Sequence, residues 1–219
     1  MRPTTMAEIA AAAPIIPVVT IERVEEAVPL AEALRTGGLR AVEITLRSDA
    51  ARAALMRIRE ALPEFILGVG TVTRPEEFGD IARLGADFAV SPGVTPELLA
   101  AAEATGLPFL PGAATASEIM ILSLRGWRYV KFFPAEVSGG RAALKALGPV
   151  FPHMQFCPTG GITAENAADY LALDNVACVG GSWITPAEAV RAGDWAEIER
   201  RAEWADRMAS SRRTGTPAC

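Results

Sequence analysis

Lys131 stands in the middle of residues 129–136, Tyr-Val-Lys-Phe-Phe-Pro-Ala-Glu, a short apolar run that ends at Pro134. A run of this kind reads as a buried strand. Burial strips an ammonium of its hydration and favours the neutral amine, the form that attacks a carbonyl. The chemistry on offer is Schiff-base formation. The chain holds two lysines, Lys131 and Lys145, against 19 arginines, so arginine supplies the positive surface charge. Lys145 falls in the helix-like stretch Gly140–Leu147, where its stem can lie along apolar surface with the head in water. The plainer reading of Lys131 is a strand-end lysine that snorkels to solvent or pairs with a carboxylate.

Other strand-like segments carry polar groups that a core would not choose. In residues 41–47, Glu43, Thr45 and Arg47 share parity and therefore one face. Glu43 is either an acid/base or half of a buried ion pair with Arg47, and Arg47 offers a fork for a carboxylate. Thr71 ends Gly68-Val-Gly-Thr-Val72, whose glycines let something approach the backbone closely, and Ser91-Pro92-Gly93 makes an abrupt turn. Phe133 shares parity with Lys131. Thr159-Gly160-Gly161 and Gly180-Gly181-Ser182 each pair two glycines just before a helix start, which suits a phosphate on bare backbone N–H groups. Ordinary tight turns are the alternative. An amine, a carboxylate, an arginine and an anion cradle together suit a phosphorylated keto acid.

The elements that must bring these groups together recur along the chain. Strand candidates at 15–20, 41–47, 67–71, 88–90, 109–110, 129–132, 155–157 and 176–179 alternate with helix candidates such as 24–36, 49–61, 75–84 and 166–173. Gly85, Gly106, Gly126 and Gly148 fall at a near-regular interval, each placed as a left-handed helix stop. Eight strand–helix units predict an α/β protein, a (β/α)8 TIM barrel with eight parallel strands and its site at their C-terminal ends. No Gly-x-Gly-x-x-Gly follows the first strand, which argues against a dinucleotide fold. Residues 1–209 are expected to form one domain, and the polar residues 210–219 a disordered tail.

Composition narrows the partners. Net charge is −5 and the pI near 5.1, without a basic stripe for nucleic acid or an anionic membrane. No apolar run approaches the roughly 20 residues that span a bilayer. Glu8, Pro14 and Pro17 interrupt the alanine-rich N-terminus, against a signal peptide. Cys157, Cys178 and Cys219 are odd in number and widely spaced, which favours reduced thiols and a cytoplasmic location. The single histidine, His153, cannot supply a multi-histidine metal site.

Six segments in order, Glu43-Ile-Thr-Leu-Arg47, Gly68-Val-Gly-Thr-Val72, Ser91-Pro-Gly93, Lys131-Phe-Phe-Pro-Ala-Glu136, Cys157-Pro-Thr-Gly-Gly-Ile162 and Gly180-Gly-Ser-Trp183, resemble those of the 2-keto-3-deoxy-6-phosphogluconate (KDPG) and 4-hydroxy-2-oxoglutarate (KHG) aldolases. The resemblance implies a class I aldolase of the Entner–Doudoroff pathway that needs no cofactor or metal, usually a homotrimer, cleaving KDPG to pyruvate and glyceraldehyde 3-phosphate. It implies that Lys131 forms the Schiff base and Glu43 moves protons. Arg47 would hold the substrate carboxylate, Pro92 and Phe133 would line the pocket, Gly161 and Ser182 would face the phosphate, and Thr71, Thr159, Gly160, Gly180 and Gly181 would complete the substrate-binding set. A phosphate-binding isomerase barrel with Glu43 as base is the rival enzyme class.

Overall fold

Strand and helix alternate in the computed structural model, which describes residues 2–214. The described residues contain nine strands: β1 Ile15–Val19, β2 Ala41–Thr45, β3 Ile66–Gly70, β4 Phe88–Val90, β5 Phe109–Leu110, β6 Gly112–Ala113, β7 Tyr129–Phe132, β8 Gln155–Pro158 and β9 Val179–Gly181. Every ladder is parallel. A six-stranded sheet runs in the order β5-β4-β3-β2-β1-β9, and a three-stranded one in the order β6-β7-β8.

The expected eight-stranded ladder is therefore found as two sheets. Pro111 accounts for one seam: it has no N–H to give, so the chain pairs with β4 before it, through β5, and with β7 after it, through β6. At the other seam no continuous ladder joins β8 to β9 among the described residues; the isolated bridges Thr159↔Gly180 and Phe156↔Val176, each using a residue outside the two strands, connect the segments. The last strand lies later than the expected 176–179, beginning at Val179.

Two apolar cores follow from strand alternation. One face of the strands, including Val42, Ile44, Leu67, Val69, Ala89 and Val130, packs under the helices. The opposite face contributes Ile16, Ala41, Ile66, Phe88, Val90, Leu110, Cys157 and Cys178 to a second core. That core is closed by a helix the sequence reading did not anticipate, Met6–Ala12. Thr5 caps it by accepting from the Glu8 N–H at 3.2 Å, and Met6, Ile9 and Ala10 are buried. Full burial of Ile9 alone contributes about 1.5–3 kcal/mol. Gly68 lets the Phe88 ring into this layer, because a Cβ there would lie 2.2 Å from the ring. With that end filled by apolar side chains, the same strand face is free to carry polar groups further along. Glu43, Thr45, Lys131 and Thr159 are all buried there.

Gly85, Gly106 and Gly126 have the positive φ expected of helix stops. Gly148 does not: its φ is −53°, right-handed, because the chain continues through further turns. The 24–36 segment divides into a 3-10 turn, Val24–Glu26, and the helix Ala27–Thr36. The final helix, Trp195–Thr214, overlaps the first half of the expected tail, and residues 215–219 lie outside the described residues. No described helix is long and apolar enough to cross a membrane.

Candidate active site

Lys131 and Glu43 come from different sheets and meet in the interior. The Lys131 Nζ donates to Glu43 Oε1 at 3.2 Å, with both side chains less than a tenth exposed. Lys131 is held by β7, in register with Gly112 of β6 and Cys157 of β8. Glu43 is held by β2, in register with Val18 and Gly68. Space for its carboxylate comes from Gly70, where a Cβ would lie 2.0 Å from Oε1. The Phe133 ring centroid is 5.3 Å from Nζ, within cation–π range. Such a pair sets an amine and a carboxylate within hydrogen-bond reach of each other.

Above the pair opens a cavity of about 360 Å³. Of the residues singled out from the sequence, Lys131, Phe133, Arg47, Thr159, Gly160, Gly161, Gly181 and Ser182 line it. Glu43, Thr71, Pro92 and Gly180 are not among its lining residues. Thr71 reaches the cavity through Arg47, whose Nε donates to its hydroxyl at 3.1 Å. Thr71 has φ +62°, an outlier for a β-branched residue, and this costs energy that the surroundings must supply. Pro92 lies beside Gly112, where a Cβ would sit 2.3 Å from the Pro92 carbonyl carbon. Gly180 leaves room for the Thr159 hydroxyl, 2.5 Å from where its own Cβ would be. Thr20 was not foreseen; its hydroxyl lies 2.7 Å from that of Thr45, and both line the cavity. Arg191 was also missed, because it lies on the helix Ala187–Ala192, away from any strand end.

The Thr159-Gly160-Gly161 loop is tied down by its carbonyls. Thr159 O accepts from Ala135 N at 2.8 Å, Gly160 O from Glu136 N at 3.1 Å, and Gly161 O from Asn166 Nδ2 at 3.0 Å. In a planar trans peptide the N–H points opposite its carbonyl. The N–H groups of Gly160, Gly161 and Ile162 are therefore directed away from those anchors and find no protein acceptor among the described residues. Gly160 and Gly161 adopt φ of +94° and +82°, which a glycine alone takes without strain. Successive N–H groups presented in this way form an anion cradle. Behind the loop, Tyr170 donates a short hydrogen bond to Glu136 Oε1. Burial pushes the Tyr170 hydroxyl far above its ordinary range, and the bond to Glu136 and the charge of that carboxylate push it further.

The larger cavity, about 820 Å³, lies elsewhere, between the N-terminal residues and the 61–66 segment. It contains neither Lys131 nor Glu43.

The chain is similar to known proteins in sequence and in fold. Residues 6–201 match the family model "KDPG and KHG aldolase". A 2-dehydro-3-deoxy-phosphogluconate aldolase of Pseudomonas aeruginosa is 50% identical over 200 residues, covering 91% of each chain. A KHG/KDPG aldolase of Escherichia coli is 45% identical, covering 91% of this chain and 93% of its own. The crystal structure of KDPG aldolase from Legionella pneumophila, with pyruvate captured as a covalent carbinolamine, superposes with a TM-score of 0.88. It is 46% identical and covers 90% of this chain and 96% of its own.

Proposed function

Since the chain belongs to the KDPG and KHG aldolase family, we propose that it is a Schiff-base lyase cleaving 2-dehydro-3-deoxy-6-phosphogluconate to pyruvate and glyceraldehyde 3-phosphate. It also cleaves 4-hydroxy-2-oxoglutarate to pyruvate and glyoxylate, the dual specificity in the name of the E. coli relative. The observation that carries this reading is the buried Lys131 amine 3.2 Å from the Glu43 carboxylate, beneath a cavity with an anion cradle at its wall. An isomerase barrel would use Glu43 but would leave the buried amine without a covalent role.

The steps follow from the placement of these groups. The Lys131 amine adds to the C2 carbonyl of the keto acid, and loss of water leaves an iminium. Glu43 takes the C4 hydroxyl proton, directly or through a water. The C3–C4 bond breaks, its electron pair moves into the iminium, and the aldehyde departs from the resulting enamine. Protonation at C3, with Glu43 returning the proton, and hydrolysis release pyruvate and regenerate the amine. Arg47, steadied by Thr71, holds the substrate carboxylate. Phe133 and Pro92 shape the pocket around the reacting carbons. Thr159, Gly160, Gly161, Gly181 and Ser182 surround the phosphate, and Gly180 makes room for the Thr159 hydroxyl.

The same reading extends to architecture and setting. Counting β5 and β6 as one strand broken at Pro111 gives eight, and the two isolated bridges that link the β8 and β9 segments support closure into a single-domain (β/α)8 barrel over residues 1–209. Exposed Met120, Ile121 and Leu124 on the helix Ala116–Leu124 offer an apolar face for a homotrimer. The buried thiols of Cys157 and Cys178, which form no disulfide, fit a cytoplasmic enzyme of the Entner–Doudoroff pathway. Pyruvate release from each substrate tests the activity. Cleavage of both is expected, and cleavage of neither would overturn the reading.

A further inference from the structure

Glu136 lies five residues beyond Lys131 and is not among the groups that contact the reacting carbons above, yet it reaches the anion cradle in two ways. Its backbone N–H holds the Gly160 carbonyl at 3.1 Å, which fixes the peptide whose N–H belongs to Gly161. Its side-chain stem packs on Gly161 so closely that a Cβ there would lie 2.5 Å from Glu136 Cγ. The side chain is itself fixed at its far end. Tyr170, fully buried on the helix Ala164–Leu171, donates to its Oε1. Gly140 closes the same spot, since a Cβ at Gly140 would lie 3.1 Å from the Tyr170 hydroxyl and 3.5 Å from Glu136 Oε1.

The helix that carries Tyr170 also carries Asn166, which anchors the Gly161 carbonyl at 3.0 Å and caps its own helix by accepting from Thr163 N at 2.8 Å. Two residues four apart on one helix thus hold the loop. Asn166 acts directly and Tyr170 acts through Glu136, and the spacing puts both on one helix face. Glu136 belongs to the loop that leaves β7, so this grip ties the strand bearing Lys131 to the loop bearing the cradle.

We propose that Glu136, clamped by Tyr170, is a positioning residue that sets the Gly160–Gly161 cradle relative to Lys131 and so confers affinity for the phosphorylated substrate. This rests on the aldolase reading above and assigns to it a determinant outside the reacting groups. Losing the clamp frees the loop without touching the amine, the base or Arg47. The phosphorylated substrate should lose affinity, whereas pyruvate, which has no phosphate, should not.

Tyr170→Phe removes only the hydroxyl from a buried ring, and Glu136→Ala removes the stem and carboxylate at an exposed position, which protects the test against failure of the first variant to fold. Each is assayed for KM and kcat on KDPG, for the KM of pyruvate C3–H exchange, and for borohydride trapping of pyruvate on Lys131. The expected result is a KM for KDPG raised about tenfold, kcat within about twofold, and unchanged pyruvate KM and trapping. A KM for KDPG unchanged in both variants overturns the clamp, and so does an equal rise for KDPG and pyruvate, which marks a general structural loss. If the parent itself traps no pyruvate, the aldolase reading fails, and the clamp falls with it. A parent that traps pyruvate while both variants keep the parental KDPG KM sinks the clamp alone.

Discussion

Gly70→Ala perturbs the proton-transfer group without altering any residue that reacts. Gly70 has no positive φ, so alanine is compatible with its backbone, and the consequence is confined to space. The new methyl would lie 2.0 Å from Glu43 Oε1, 2.7 Å from the carboxyl carbon and 2.8 Å from Cγ. Ordinary contact begins near 3.4 Å, so the carboxylate must retreat by more than an ångström. Its bond to Lys131 starts at 3.2 Å, so any retreat away from the amine carries it past hydrogen-bond range. A positioned base contributes on the order of 10²–10⁴ in rate, and most of that contribution should disappear. Steady-state cleavage and pyruvate C3–H exchange report the loss, while borohydride trapping reports whether Lys131 still forms its adduct. The expected phenotype is a collapse of the first two with the third retained. If cleavage by a folded Gly70→Ala protein stays within a few-fold of the parent, Glu43 is not the base, or its position does not matter.

Ser182→Asp places a carboxylate in the proposed phosphate wall and should raise the KM for KDPG by roughly tenfold or more while sparing pyruvate exchange. An equal loss on both would put the phosphate elsewhere. Glu77 tests the scaffold rather than the site: it is 5% exposed and accepts from Thr73 N at 2.9 Å and Arg74 N at 3.1 Å. Burial raises the Glu77 carboxyl, but these bonds and the Arg74 guanidinium outweigh it, so the group sits below its ordinary value of 4.5. A depressed folded value gives stability that is present above pH 4.5 and lost as pH falls through the folded value. Glu77→Gln should therefore cost about 1–3 kcal/mol in denaturant unfolding at pH 7, and the gap to the parent should narrow below pH 4.5. A gap independent of pH would show that the charge is not what stabilises.

Much of the site was legible because strand parity and burial are local properties. Lys131 stood out as a cation in an apolar run, and Glu43, Thr45 and Arg47 declared a shared face by spacing alone. Gly160-Gly161 was legible for the same reason, since its left-handed backbone favours that residue type, whereas Gly180-Gly181 turned out to be part of strand β9 without positive φ. What escaped notice depends on contacts between distant residues or on conformations that residue type does not announce. Nothing in threonine signals the φ of +62° at Thr71. The Tyr170–Glu136 bond joins residues 34 apart in sequence. Met6–Ala12 is short and alanine-rich, and is stabilised as a helix chiefly by the core it covers. The break at Pro111 shows the limit in the other direction: a proline was visible, but the two-sheet division it produces depends on which strand lies on each side.

The central claim is that Lys131 is the covalent nucleophile, and reductive trapping tests it most directly. The protein is incubated with pyruvate, reduced with borohydride, digested and mapped by mass. The expected result is a single stable adduct on Lys131, none on Lys145, and no adduct or turnover in Lys131→Arg, whose guanidinium stays protonated and cannot form the carbinolamine. An adduct on Lys145, no adduct at all, or turnover by Lys131→Arg comparable to that of Lys145→Arg would contradict it.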